Sequence, residues 1–142
     1  MKMRSANWLL LAVGVAAVAC ETASSTIIAK NAQGKDLQVS RIDGLPLPSG
    51  CPKITKSIPG GETTITVSYS EPVGRQDGTA LLDLAYTTVY VSSPNGKTMA
   101  IRAWSDNAGG GADVTITEIP VVGPEVGVCV TATNWRGNES MP

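Results

Sequence analysis

The chain has 142 residues, and its 11 lysines and arginines nearly balance 12 aspartates and glutamates, for a formal net charge of −1. It contains no histidine, so it lacks the commonest general base and the commonest transition-metal ligand, and no His-dependent catalytic triad can form. There is no basic stripe, so we expect no nucleic-acid partner.

The first segment of the chain has the features of an export signal. A short basic start, residues 1–4, precedes an apolar run from Trp8 to Cys20. That run is too short to cross a bilayer, which takes about 20 residues as a helix, and it is typical of a secretory signal peptide. The small residues 17–19 predict cleavage just before Cys20, which makes residues 1–19 the signal peptide.

Residues 17–20 (AVAC) resemble the lipobox of bacterial lipoproteins. The resemblance implies that the thiol of Cys20 carries a diacylglyceryl group and holds the protein at a membrane. Cysteine parity supports this, because lipidation of one of the three cysteines leaves two, Cys51 and Cys129, to pair. Two acyl chains hold a protein firmly where one does not. The alternative is that Cys20 belongs to a leader cleaved slightly later, for instance after Ala23.

The mature chain, residues 20–142, is predicted to be one all-β domain. Its 123 residues, with 9 basic and 12 acidic side chains, suit a single domain. Thr, Val, Ile and Gly dominate, and no long stretch has helical periodicity. Alternating apolar and polar residues predict strands over 26–30, 36–42, 62–72, 113–119 and 126–133, and two strands within 80–104 around the turn Pro94-Asn95-Gly96.

Four stretches resemble, in chain order, the B, C, E and F strands of a fibronectin type III domain: TTITVSYSEP, LAYTTVYV, VTITEIP and VCVTATNWRGNES. The last carries most of the resemblance because its residues follow the family's V-x-A-x-N-x-x-G-x-x-S ending: Val130, Ala132, Asn134, Gly137 and Ser140. The match covers about residues 52–140. It implies an immunoglobulin-like β-sandwich over residues 51–142, preceded by a tether and an extra strand segment at 20–50.

Two departures from the family pattern lead to a prediction about a sheet edge. Val126 stands where the family places its tyrosine corner, and the final strand, G, has no counterpart before Pro142. Without strand G, strand F has an unpaired edge, which recruits another strand. We expect residues 26–42 to fill it within the same chain, where the effective concentration is high. Entry of that segment into a neighbouring copy, giving a homo-oligomer, is the alternative.

Cys51 and Cys129 are predicted to form a disulfide, because cysteines of exported proteins are usually oxidised. Two free thiols are the alternative. Strand alternation points the even-numbered residues from Val126 to Ala132 toward the core, so Cys129 points to the opposite face of the sheet. The pairing therefore requires Cys51 to lie outside the sheet as well.

No stretch predicts catalysis, and we expect no enzyme, cofactor or metal site. Asp77 and Asp83 fit solvated loop acids better than a glycosidase pair. In the loop 105–113, oxygen ligands from Asp106, Asn107 and Asp113 offer a calcium site as the alternative to a plain connection between strands.

The loop after strand F carries the best candidates for partner contact. Trp135 and Arg136 belong to the residue types that dominate binding hot spots, and loops at a sandwich end commonly carry recognition. The alternative is that Trp135 covers the rim of the core.

These features predict a non-catalytic interaction module of the bacterial cell envelope, anchored in the membrane through a lipid on Cys20. Its partner would be an unknown protein or glycan. One alternative is a structural subunit that assembles by exchange of residues 26–42. Another is a secreted, unanchored adhesion module.

Overall fold

The computed structural model describes residues 26–51 and 53–140, and this part of the chain contains ten strands and no helix. The strands are β1 (Ile28–Asn31), β2 (Asp36–Leu37), β3 (Val39–Asp43), β4 (Ile54–Ser57), β5 (Thr64–Ser70), β6 (Leu84–Ser92), β7 (Thr98–Trp104), β8 (Asp113–Pro120), β9 (Glu125–Asn134) and β10 (Glu139–Ser140). The predicted all-β class is confirmed. The predicted signal peptide, Cys20 and the tether up to residue 25 lie outside the described residues.

The strands form two antiparallel sheets, as expected for a β-sandwich. One sheet has the order β2-β1-β8-β5, and the other has the order β10-β9-β6-β7-β3. Strand β4 also pairs with β9, on the edge that β10 uses. Most strands predicted from sequence alternation are present, with ends shifted by a few residues, but the strand predicted over 36–42 is broken at Gln38 into β2 and β3, which belong to different sheets. The hairpin around Asn95-Gly96 joins β6 to β7. Strands β4 and β10 were not predicted.

The main core lies between the two sheets. Val89, Ile101 and Ile116 are fully buried in it. Tyr69 reaches across from β5, and its hydroxyl lies 2.5 Å from the hydroxyl of Thr87 on β6. Burial raises the pKa of Tyr69 to about 12. This hydrogen bond links the two sheets through otherwise apolar packing.

Strand β8 contains a bulge that keeps its apolar residues inward. Ile116 and Ile119 are both fully buried although they are three positions apart, which a regular strand with period two would not allow. The register against β5 shifts between Ile65 and Val67, and Glu118 on β8 has a φ of 62°. A residue with left-handed φ at the extra position of a bulge restores the inward direction of the next side chain.

The edge of β9 is filled differently from the sequence prediction. Residues 54–57 pair with the first half of β9, and residues 139–140 pair with its end. The segment 26–42, predicted to lie there, instead supplies β1 beside β8 and β3 beside β7. The prediction that this segment fills the edge is therefore wrong, and its exchange between copies stays a prediction. The physical reason is the disulfide at Cys51, which brings the residues just after it alongside β9.

The sandwich has two ends that matter for the site. Leu84 pairs with Asn134 at one end, which we call the Trp135 end, and Ser92 pairs with Gly127 at the other, which we call the entry end. In β1, Asn31 reaches Asp106 at the Trp135 end, whereas the chain comes into β1 from the entry end. Asn134 and Gly127 are seven positions apart on β9, about 23 Å at the usual rise per residue.

Candidate recognition surface

An aromatic cluster of Tyr86, Trp104 and Trp135 lies on the outer face of the β9-β6-β7 sheet, at the Trp135 end. The ring centroids of Tyr86 and Trp104 are 4.8 Å apart at 64°, and those of Trp104 and Trp135 are 5.8 Å apart at 34°. The guanidinium of Arg102 lies over the Tyr86 ring, 4.9 Å from its centroid. Trp135 remains 65% exposed. It therefore rests on another ring and presents most of its surface to solvent.

The turn at residues 134–138 holds Trp135 in this position. The side-chain oxygen of Asn134 accepts backbone N–H groups of Arg136 at 3.0 Å and Asn138 at 2.9 Å. Gly137 has a φ of 86°, which glycine adopts without strain. The N–H of Trp135 donates to the carbonyl oxygen of Asp83 at 3.0 Å. The exposed indole and its exposed neighbour Arg136 are thus attached to an ordered backbone.

Two N–H donors of this region have no acceptor among the described residues, Nε of Arg102 and Nε1 of Trp104. Both atoms are buried. A buried donor without an acceptor costs about 1–3 kcal/mol, so such donors are rare in a core that serves only stability. The cluster around Trp104 therefore differs from an ordinary packed core.

The other half of the same outer face is covered by residues 45–51. Tyr90, Ala100 and Cys129 are buried there, and Leu45, Leu47 and Ile42 pack against them. Cys51 and Cys129 form the predicted disulfide, with their Cα atoms 6.2 Å apart. Cys129 lies on the face opposite the main core, as its parity requires. The sequence analysis did not predict this second core. The alternation of Leu45 and Leu47 with prolines could have indicated it, because it points both leucines to the same side of an extended segment.

Glu139 connects β10 to the second core. Its Oε1 accepts a hydrogen bond from the Tyr90 hydroxyl at 2.6 Å and another from the hydroxyl of Thr131. Burial, followed by the hydrogen bond to Glu139 and its charge, raises the pKa of Tyr90 to about 12. The network ties the Glu139 side chain to the outer face of the sheet, so β10 is held at the edge of β9 by this side chain as well as by its backbone.

A cleft of about 470 Å³ lies beside the turn. It is lined by the following residues: Pro72, Gly74, Arg75, Gln76, Leu81, Asp83, Leu84, Ala132, Thr133, Asn134, Asn138 and Glu139. Arg75 and Asp83 form an ion pair across it, with Nη2 and Oδ1 2.9 Å apart. The cleft and the aromatic cluster share the 134–138 turn. Together they place planar polar groups next to an exposed aromatic ring.

The two carboxylates considered for catalysis have separate partners. Asp77 accepts the N–H of Thr79 at 2.9 Å and its hydroxyl at 2.6 Å, and these bonds hold the pKa of this fully exposed carboxyl below its usual value. Asp83 pairs with Arg75. Each carboxylate thus has a structural role in its loop.

The acidic loop 105–113 does not gather its oxygens at one point. Asp106 faces Lys35 at 3.7 Å, Asn107 accepts the N–H of Gly109, and Asp113 bonds Ser70. Among residues 26–51 and 53–140, no group of three or more cysteine, aspartate or glutamate side chains could hold a metal ion.

Glu71 is a buried carboxyl at the Trp135 end, only 4% exposed. One of its oxygens accepts the N–H of Ala112 at 3.4 Å. Burial raises the pKa of Glu71, and hydrogen bonds from Ser105 and Ala112 oppose the rise. The Glu71 carboxyl therefore links the end of β5 to the 105–112 loop, and its burial makes the ionised form less favourable than it would be in water.

The remaining observations concern membrane-spanning helices, Cys20 and similarity to known proteins. The described part holds no helix of the length and apolarity that crossing a membrane requires. Cys20 lies outside that part, so the structure does not describe its surroundings. No family model, curated protein or solved structure matches the chain.

Proposed function

We propose that this protein is a non-catalytic recognition module of the bacterial cell envelope, anchored through lipid on Cys20. The observation that carries the proposal is the aromatic cluster, in which Trp135 is 65% exposed yet fixed by an ordered turn. Exposed aromatic side chains lower solubility, and Trp and Arg dominate the energetics of binding sites. A rigid turn also lowers the entropy lost on binding.

The direction of β1 is compatible with an anchored molecule. The chain runs through β1 toward the Trp135 end, where Asn31 reaches Asp106, and Ile28 lies three residues, about 10 Å, before it. In this proposal a lipid on Cys20 holds the chain at the membrane ahead of β1, and Trp135 lies at the end toward which β1 runs.

We include kinship with fibronectin type III domains in the proposal. The four stretches that resemble the B, C, E and F strands coincide with β5, β6, β8 and β9. Strand β9 lies between β6 and an edge shared by β4 and β10. In this reading the short strands β4 and β10 together take the position of strand G.

The anchor is tested by metabolic labelling with a clickable fatty acid. We expect label on the parent protein and none on Cys20→Ser, because the lipid is attached to that thiol. Cys51→Ala/Cys129→Ala is the matched control, since it removes two cysteines and keeps Cys20. Equal labelling of parent and Cys20→Ser would overturn the anchor.

Recognition is tested by chemical cross-linking in intact cells. We compare the parent with Trp135→Ala and with Val122→Ala, a matched control that truncates a 70% exposed side chain at the entry end. Species captured by the parent and by Val122→Ala should be lost from Trp135→Ala. The same capture by all three proteins would overturn the proposed site.

A further inference from the structure

The exposed ring of Trp135 and the cleft beside the 134–138 turn together form what we call the Trp135 surface. We infer that the ligand of this surface is a polysaccharide built of uncharged pyranose units. The inference rests on the proposed function, because it names the ligand class for the same surface. A pyranose ring has an apolar face of C–H groups and a rim of hydroxyls. The surface offers a complement to both, an exposed indole for the C–H face and planar polar side chains for the hydroxyls.

The aromatic part of the surface supplies the stacking. Trp135 presents its ring to solvent and is supported from beneath by Trp104 at 5.8 Å. Its backbone is fixed by the bond to Asp83 and by the Asn134 turn. A supported, immobile ring loses little side-chain entropy when a flat ligand covers it, so its apolar area contributes to binding with little loss.

The cleft supplies hydrogen bonds at the same place. Amide groups of Gln76 and Asn138 line it, and amides can donate and accept at once, as vicinal sugar hydroxyls require.

The charges of the cleft favour an uncharged ligand. Arg75 is the one cation among the described residues that line it, and Asp83 neutralises it at 2.9 Å. Glu139 keeps its carboxylate toward Tyr90 and Thr131. An acidic polysaccharide or a nucleic acid would therefore meet as much repulsion as attraction in the cleft, although the exposed Arg136 beside Trp135 would attract it. A stable protein–protein interface buries about 600 Å² or more on each partner, which is more than the roughly 150–250 Å² that one aromatic side chain buries.

The test uses the full-length protein purified in mild detergent. Binding to insoluble cellulose, chitin and starch is measured by depletion, with tryptophan fluorescence confirming that each variant is folded. We expect the parent and Val122→Ala to bind at least one of these neutral polysaccharides equally. Trp135→Ala should weaken that binding roughly tenfold, Trp135→Phe less, and Gln76→Ala roughly threefold.

Several outcomes would overturn the inference. They are no retention of the folded parent on any of the three polysaccharides, equal retention of Trp135→Ala, or stronger retention on polygalacturonate than on the neutral polymers. Failure here is separable from failure of the proposed function. If cross-linking captures a protein through Trp135 while the polysaccharides retain nothing, the recognition surface stands and the ligand class is wrong. If Trp135→Ala changes neither assay, both are wrong.

Discussion

Removal of the Cys51–Cys129 disulfide should cost this sandwich a large part of its stability. The bond joins residues 78 apart in sequence. In the chain-entropy model, closing a loop of that size removes about 15 cal/mol/K from the unfolded chain, or about 4.5 kcal/mol at 25 °C. Domains of this size unfold with a free energy of about 5–15 kcal/mol, so Cys51→Ala/Cys129→Ala should remain folded only marginally.

The second core adds a packing contribution. Cys129 is 2% exposed beneath Leu45 and Leu47, and loss of the bond also loosens the segment that covers it. Leu47→Ala separates the two effects, because it removes part of the cover and leaves the disulfide in place. Since Leu47 is only half-buried, we expect the Leu47→Ala substitution to lower the free energy of unfolding by about 1–2 kcal/mol.

The assay is guanidinium unfolding followed by tryptophan fluorescence, for the parent, the parent with reductant, Leu47→Ala and the double variant. The double variant should lose about 4–5 kcal/mol and roughly 15–20 °C in Tm. Reductant should destabilise the parent to the same level and leave the double variant unchanged. A loss no larger than that of Leu47→Ala would refute the reasoning, because the loop-closure contribution would then be absent.

Three further predictions concern single residues. Glu71→Gln should be more stable than the parent at pH 7, and its free energy of unfolding should change less between pH 4 and pH 7. Burial raises the pKa of Glu71 in the folded state, so the parent loses stability as the pH rises through that pKa. Guanidinium unfolding of both proteins across this pH range measures the difference. At Glu118, with its φ of 62°, Gly should be tolerated while Val should lower stability by about 1–3 kcal/mol; equal Tm values would contradict the strain argument. Gly110→Ala should destabilise far more than Gly96→Ala, because both have positive φ but only at Gly110 would the new Cβ overlap the carbonyl of Pro72; thermal melts of both variants decide.

Much of the fold was predictable because apolar and polar residues alternate along most of the long strands. The strands β5, β7 and β9, and β8 up to its bulge, follow period-two patterns and lie between turn residues, so their existence and their inward faces can be read directly. The direction of Cys129 follows from the same parity, and it led to the correct place for the disulfide. The hairpin at Asn95-Gly96 has a local turn signal.

The pairing of the edge strands was not predictable in that way. Strand β4 is exposed along its whole length, so it has no alternation to reveal it. The place of β4 beside β9 depends on the disulfide between Cys51 and Cys129, which are 78 residues apart in sequence. Segment 26–42 looked like a filler for β9 because it is apolar, yet apolar content does not specify which of several open edges a strand joins.

The candidate site was only partly visible in the sequence. Trp135 and Arg136 stand out by residue type and by their place in a loop after a strand. Tyr86 and Trp104 have ordinary strand patterns, and nothing local indicates that their rings meet Trp135. They come together because the register of β6 against β7 and β9 places them side by side at one end of the sheet.

The sequence by itself determined the all-β class, the inner and outer faces of the long strands, and the cysteines that pair. These depend on neighbours a few residues apart, whose side chains the pleat directs to fixed sides. Only the tertiary structure decided which strands share an edge, that residues 45–51 close half of the outer face, and that three aromatic rings gather on the open half. Those features depend on contacts between distant segments, which compete for the same surfaces and are chosen by packing and chain closure together.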